Sequence, residues 1–213
     1  MFERLRRFLG SEPGAAGALA DAGCRWVVID VETSGLDQSA DTLLAIGAVA
    51  VRAGRVLAGD SLELLVRPER TSSRDNILVH GIGQQAQQGG LEPEAACREL
   101  VRYVGDAPLV AFHASFDRSF LARATKSCLG RPLPNEWLDL AELAPAMHAG
   151  VKARALDDWL AHFGIAVDQR HHAASDALAT AMLFLRLLAG VPAGERDPKS
   201  LRRLAAHARW VPR

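Results

Sequence analysis

Two acidic residues, Asp30 and Glu32, stand at the end of a short apolar run, RWVVIDV at residues 25–31. Residues two apart on a strand point to the same face of a sheet, so the two carboxylates are expected side by side. Such carboxylates repel each other unless a cation neutralises them, and hard oxygen ligands suit Mg²⁺ or Mn²⁺. The alternative is that the strand ends at Val31 and both side chains meet solvent or cap the following turn.

Two further aspartates each have an ordinary structural explanation when taken singly. Asp117 follows a short apolar run and stands near the start of a predicted helix, where the helix dipole alone favours an acidic residue. Asp176 lies among alanine and leucine residues on a mostly apolar helix, so its carboxylate needs a partner. Arg170, Arg186 and a metal ion are the candidates for that partner.

The order and spacing of these residues resemble those of a known enzyme family. The pattern V-I-D-x-E-T-[ST]-G-L-D spans residues 28–37, F-D-x-x-F-L spans 116–121, and H-x(4)-D spans 171–176. Together they resemble the DEDDh group of 3′–5′ exonucleases, which is related to the proofreading subunit of bacterial replicative polymerase, RNase T and oligoribonuclease. The resemblance extends from about residue 26 to residue 188. It implies an α/β, ribonuclease H-like fold with a five-stranded mixed sheet flanked by helices.

The resemblance also implies a site for two divalent metal ions, Mg²⁺ or Mn²⁺. Asp30, Glu32, Asp117 and Asp176 correspond to the family's metal ligands, and His171 corresponds to the general base that deprotonates the attacking water. Histidine suits that role because its reference pKa, about 6.5, lies near the operating pH. Two metal ions about 3.5–4 Å apart can activate the water, orient the leaving oxygen and neutralise the phosphate.

Contacts to the terminal nucleotide follow from the same resemblance. Thr33 and Leu36 are expected to hold and wedge that nucleotide, Phe116 to stack near the scissile end, and His80 to contact the terminal sugar or phosphate. For Leu36 and Phe116, packing in the core is the alternative. One position departs from the family pattern: His113 stands where an asparagine is common, which leaves open any contact that the family makes through that asparagine.

The two adjacent histidines require a choice between helix geometry and family spacing. If one helix ran through residues 171–176, His172 would share the face of Asp176, and His171 would point about 140° away. The H-x(4)-D spacing instead favours His171. We therefore predict that His171 lies in a loop before the helix and that His172 is near the helix start.

The elements predicted around these residues form one α/β layer stack. Apolar runs, and a hairpin at Ala53-Gly54, predict strands at residues 25–31, 43–52, 55–66, 108–112 and 137–140. Helical spacing of apolar residues predicts helices at residues 92–104, 116–124, 155–163, 173–188 and 199–210. The stretch 67–90 is predicted as a loop with one helical turn. We expect an N-terminal helix and linker (1–20), an exonuclease-like domain (21–190) and a basic C-terminal helix or tail (191–213).

Composition excludes several other classes of protein. The 213 residues contain 25 Lys+Arg and 25 Asp+Glu, and this zero net charge argues against charge-driven coating of nucleic acid. It fits an enzyme that grips a few nucleotides or is tethered to a protein partner such as a polymerase. We expect no membrane span and no secretory signal. Three scattered cysteines argue against a cysteine-built zinc site and fit a reducing, cytoplasmic location.

The sequence therefore predicts a metal-dependent 3′–5′ exonuclease. Its expected substrates are single-stranded DNA or RNA ends, with DNA slightly favoured, and its expected products are nucleoside 5′-monophosphates. The alternative is a non-catalytic nucleic-acid or protein interaction module with an exonuclease fold, because fold does not fix activity. The presence of four carboxylates and a correctly spaced histidine favours the enzyme. The basic C-terminal segment is either a solvated helix or a phosphate-contacting patch, and the N-terminal helix either docks a partner or packs on its own domain.

Overall fold

The computed structural model of the protein describes residues 23–68, 81–167 and 170–207. Within them, a five-stranded mixed sheet has the strand order β3-β2-β1-β4-β5. Its strands are β1 Trp26–Thr33, β2 Leu43–Arg52, β3 Arg55–Leu65, β4 Leu109–Ala111 and β5 Trp137–Asp139. Strands β1, β2 and β3 are antiparallel neighbours, whereas β4 and β5 run parallel to β1. The predicted mixed sheet is therefore confirmed.

Helices cover both faces of this sheet. In the described residues they are α1 Gln84–Gln88, α2 Pro93–Val104, α3 Ala114–Leu129, α4 Leu140–Met147, α5 Leu156–His162, α6 Ala173–Ala189 and α7 Pro198–His207, with a 3₁₀ turn at Ala193–Glu195. Helix α4, which contains Pro145, was not predicted from the sequence. The predicted strand at residues 137–140 accordingly ends one residue early, since Leu140 begins this helix.

The central strand β1 places its side chains alternately in two cores. Trp26 and Val28 pack with residues of α6, whereas Val27 and Ile29 pack with residues of α2 and α3. Burial on both faces explains why the strand has a nearly continuous apolar sequence. The same alternation directs Asp30 and Glu32 toward the α6 side of the sheet.

The C-terminal helix α7 belongs to the same folded unit. It packs against α4 and β5, and Leu201 and Ala205 are buried in the core that contains Trp26. Its apolar face is therefore covered rather than solvated. The predicted N-terminal helix and linker (1–20), and the chain after residue 207, lie outside the described residues. None of the helices described is long and apolar enough to span a membrane.

Candidate metal centre

Three carboxylates meet where β1 passes under the start of α6. Asp30 and Glu32 lie on one face of β1, as predicted, and Asp176 lies in the first turn of α6. One carboxylate oxygen from each residue lies within 4.8 Å of the others. Three hard oxygen donors at this separation can hold a divalent cation of the Mg²⁺ or Mn²⁺ type.

The fourth predicted ligand, Asp117, lies beside this group rather than in it. It projects from α3, which covers the opposite face of the sheet from α6. Its Oδ1 accepts a hydrogen bond from the backbone N–H of Val31, at 3.1 Å. That amide lies between Asp30 and Glu32, so Asp117 approaches β1 at the same point along the strand.

The electrostatics of the cluster favour a bound cation. Burial, and then the charges of Asp117 and Asp176, raise the pKa of Asp30 well above its ordinary value. Burial also raises the pKa of Glu32 to about 7, with a smaller contribution from the charge of Asp176. The pKa of Asp117 is raised mainly by burial as well. Because these groups resist ionising together, a positive charge among them would stabilise the ionised cluster.

A glycine on β2 allows α6 to approach the sheet. Gly47 pairs with Asp30 in the β1–β2 register. A Cβ atom at residue 47 would lie 2.1 Å from the carbonyl carbon of Ala173, closer than real Cβ contacts permit. The absence of a side chain at Gly47 therefore lets the first turn of α6 bring Asp176 to the other two carboxylates.

His171 lies before α6, as predicted. The helix begins at Ala173, with His172 as its N-terminal flanking residue. His171 has a left-handed backbone, with φ of 59°, and its N–H donates to Oδ2 of Asp176 at 3.1 Å. Burial raises the pKa of Asp176, and the charges of Arg170 and, less strongly, of the exposed His171 side chain oppose this increase.

His172 is directed toward β3 instead. Its Nε2 lies 3.3 Å from Oε1 of Glu63. The two histidines therefore have different environments, although the catalytic role of His171 stays a prediction.

Arg170 is the arginine that contacts Asp176. Its guanidinium forms an ion pair with Asp176 Oδ1 and a second one with Asp157, in the first turn of α5. Arg186, the other candidate, is exposed in the last turn of α6. Of the two arginines predicted as partners of Asp176, the structure therefore pairs it with Arg170, the residue next to His171.

A tightly bonded loop at residues 34–42 follows β1. Ser34 donates to Asp41 Oδ1 at 2.8 Å, and the backbone N–H of Asp37 donates to Asp41 Oδ2 at 2.8 Å. Arg123 of α3 donates to the Ser39 and Asp41 carbonyl oxygens. These contacts fix the loop to the helix that also contains Asp117.

The loop presents an apolar side chain to solvent. Leu36 is 85% exposed, so the alternative that it packs in the core is wrong. Thr33, by contrast, is buried, and its hydroxyl donates to the Gly35 carbonyl at 2.6 Å. Phe116 is half-buried against the α3 side of the core, with its ring 4.9 Å from that of Phe120. His80 lies outside the described residues.

Asp139 organises the start of two helices, a role that the sequence analysis missed. Its carboxylate accepts backbone hydrogen bonds from His113 and Ala114 at 3.0 Å and from Ala141 at 2.9 Å. An aspartate directly before an apolar helical stretch is the signal that could have indicated such a cap.

His113 has a left-handed backbone, with φ of 62°. Asparagine and histidine both adopt this conformation more readily than most residues, so the family's asparagine and this histidine suit the same turn.

The fold and the carboxylate cluster together define a class of nucleic-acid hydrolase. A sequence profile of the exonuclease family, named for RNase T, matches residues 27–184. The chain therefore belongs to this exonuclease family.

Relatives of this chain include bacterial PolC-type DNA polymerases III and a DNA polymerase III subunit epsilon-like protein. A PolC-type DNA polymerase III of Thermotoga maritima is 31% identical over 163 residues, which cover 76% of this chain and 12% of that protein. A DNA polymerase III subunit epsilon-like protein of Rhodobacter capsulatus is 32% identical over 186 residues, or 84% of this chain and 26% of that protein. The chain thus spans only a small part of these relatives.

Solved structures confirm the ribonuclease H-like fold. E. coli exonuclease I in complex with a dA16 oligonucleotide has a TM-score of 0.68 and 16% identity, over 84% of this chain and 42% of that one. Exonuclease X in complex with 5′ overhanging duplex DNA has a TM-score of 0.68 and 23% identity, over 84% of this chain and 99% of that one.

Proposed function

We propose that this protein is a metal-dependent 3′–5′ exonuclease that removes nucleotides from single-stranded ends as nucleoside 5′-monophosphates. The main support is the group of Asp30, Glu32 and Asp176, whose oxygens lie within 4.8 Å of one another in an exonuclease-family fold. With Asp117 beside them, the four carboxylates suit two Mg²⁺ or Mn²⁺ ions.

Divalent metal ions held by these carboxylates would activate a water and neutralise the charge of the scissile phosphate. Asp30 and Glu32 hold the site from β1, Asp176 from α6, and Asp117 from α3. His171 accepts the proton of the attacking water, which its exposed position before α6 allows. The hydrogen bond from the His171 N–H to Asp176 connects the segment before α6 to this metal-binding carboxylate.

The proposed attack from the 3′ end of a strand requires side chains that hold the terminal nucleotide in the site. In this proposal Leu36, exposed on a loop fixed by Arg123, wedges the terminal nucleotide and Thr33 holds it, while Phe116 stacks near the scissile end. His80 is proposed to contact the terminal sugar or phosphate. We favour DNA over RNA because the relatives include DNA polymerases and the similar structures include DNA complexes.

We further propose that the enzyme works beside a polymerase or another protein partner. Its PolC-type relatives are DNA polymerases, and the chain covers 12% of the one from Thermotoga maritima. The proposed location is the cytoplasm, because a small number of scattered cysteines is typical of a chain in a reducing compartment.

A matched nuclease assay tests the proposal. Single-stranded DNA and RNA oligomers with a 5′ label are incubated with Mg²⁺ or Mn²⁺, and the products are resolved by length. A descending ladder that a bulky 3′ block abolishes is the expected result. Cleavage of a circular single strand would instead indicate an endonuclease. Oligonucleotide binding without Mn²⁺-dependent hydrolysis would favour the non-catalytic interaction module.

A further inference from the structure

The guanidinium of Arg170 lies between the carboxylate cluster and the protein surface. It is paired with Asp176 on the inner side and with Asp157 on the outer side. The Asp176 side chain is only 8% exposed, whereas that of Asp157 is 63% exposed. Arg170 therefore has one partner within the cluster and another in contact with solvent.

The charge of Arg170 acts on all three carboxylates of the group formed by Asp30, Glu32 and Asp176. It lowers the pKa of Asp30, Glu32 and Asp176, opposing the effect of burial on each. Both oxygens of Asp176 are occupied, one by Arg170 and the other by the His171 N–H. An unpaired carboxylate this deeply buried would be strongly destabilising, so the arginine stabilises the fold when no metal is bound.

We propose that Arg170 is an internal counter-cation that competes with the divalent metal for Asp176, and that Asp157 restrains it. This inference rests on the metal centre of the proposed function. When a metal ion binds Asp176, the like charge of the guanidinium opposes it, and Arg170 shifts its pairing toward Asp157. The affinity for the metal ion then depends on how strongly Arg170 pairs with Asp176 and how strongly it pairs with Asp157.

Substitutions at Arg170 and at Asp157 are expected to change Mn²⁺ affinity in opposite directions. Arg170→Gln removes the competing charge and is expected to tighten Mn²⁺ binding about tenfold, since the guanidinium is partly screened and shared with Asp157. Asp157→Asn removes the outer partner, leaves Arg170 to Asp176 alone, and is expected to weaken Mn²⁺ binding several-fold. A simple loss of surface ion pairs would not produce opposite changes.

The experiment uses the full chain stripped of metal with EDTA and then dialysed. Mn²⁺ titration by calorimetry gives the dissociation constant, and thermal unfolding in EDTA gives the stability of the metal-free protein. Arg170→Gln is expected to lower the Tm in EDTA by about 3 °C or more, while tightening Mn²⁺ binding. Arg186→Gln, which removes an exposed arginine from the far end of α6, is the matched control and is expected to leave both values unchanged.

Arg170→Lys keeps the charge at residue 170 and guards against misfolding of the glutamine variant. It is expected to bind Mn²⁺ within about threefold of the wild type. Equal Mn²⁺ affinity in the wild type and in Arg170→Gln, or weaker binding by Arg170→Gln, overturns the competition. A wild-type protein that binds no Mn²⁺ overturns the metal centre itself and the inference with it.

Discussion

Gly47→Ala tests whether the close approach of α6 to β2 builds the site. The added Cβ would lie 2.1 Å from the Ala173 carbonyl carbon and 2.3 Å from the Ala174 nitrogen. Ordinary van der Waals contact begins at about 3.4 Å, so the strand and the helix must separate by more than about 1 Å. The atoms that would have to move are backbone, which no rotamer change can relieve.

This displacement has two measurable consequences. Overpacking of this kind costs about 1–3 kcal/mol, which corresponds to a Tm lower by roughly 2–12 °C for a chain of this size. Asp176 lies in the same helical turn as Ala173, so it moves away from Asp30 and Glu32. A misplacement of about 1 Å at a reacting centre can lower the rate about 10²-fold.

The assay combines thermal unfolding with the rate of mononucleotide release from a labelled single strand in Mn²⁺. Gly59→Ala in β3 is the matched control, because a Cβ there meets nothing within 4 Å. We expect the control to keep wild-type activity and stability. Wild-type activity and an unchanged Tm in Gly47→Ala would refute the conclusion that the missing side chain positions α6.

Four further predictions address the same site. Excess EDTA is expected to abolish hydrolysis, and substantial remaining activity would contradict metal dependence. Asp117→Asn is expected to keep the fold by circular dichroism and to lose most activity, because a ligand oxygen loses its negative charge. His171→Ala is expected to lower the turnover rate by roughly 10²–10⁴-fold with Mn²⁺ binding largely intact, whereas His172→Ala costs much less; the reverse order would mean that the base is wrongly assigned. Because burial raises the pKa of Glu32 from 4.5 to about 7, the folded metal-free protein binds protons more tightly than the unfolded chain, so its Tm in EDTA is expected to fall as pH rises through that interval. Glu32→Gln, measured in parallel, should make this fall less steep without abolishing it, because the raised pKa values of Asp30 and Asp117 remain. An equally steep fall in that variant would exclude Glu32 as a source.

The parts of the site that depend on local pattern could be predicted from sequence. Alternation along β1 placed Asp30 and Glu32 on one face, and the family spacing placed His171 before a helix that the structure begins at Ala173. The first feature follows from the two-residue periodicity of a strand. The second follows from the family spacing, because helix geometry alone favoured His172.

The parts that depend on contacts between distant segments could not be predicted. Two arginines were possible partners for Asp176, and only the packing of the loop before α6 selects Arg170. Gly47 is one glycine within an apolar strand, and its importance depends on a helix that comes much later in the chain. The offset of Asp117 from the three-carboxylate group depends on its hydrogen bond to Val31, a contact between α3 and β1.

The distribution of the carboxylates along the chain affects when the site forms during synthesis. Asp30 and Glu32 leave the ribosome before Asp176, which follows only after β2–β5 and α1–α5. The three-carboxylate group therefore does not exist until α6 has emerged and packed on the sheet. A nascent chain whose α6 has not yet emerged therefore contains Asp30 and Glu32 but no complete centre of the proposed kind.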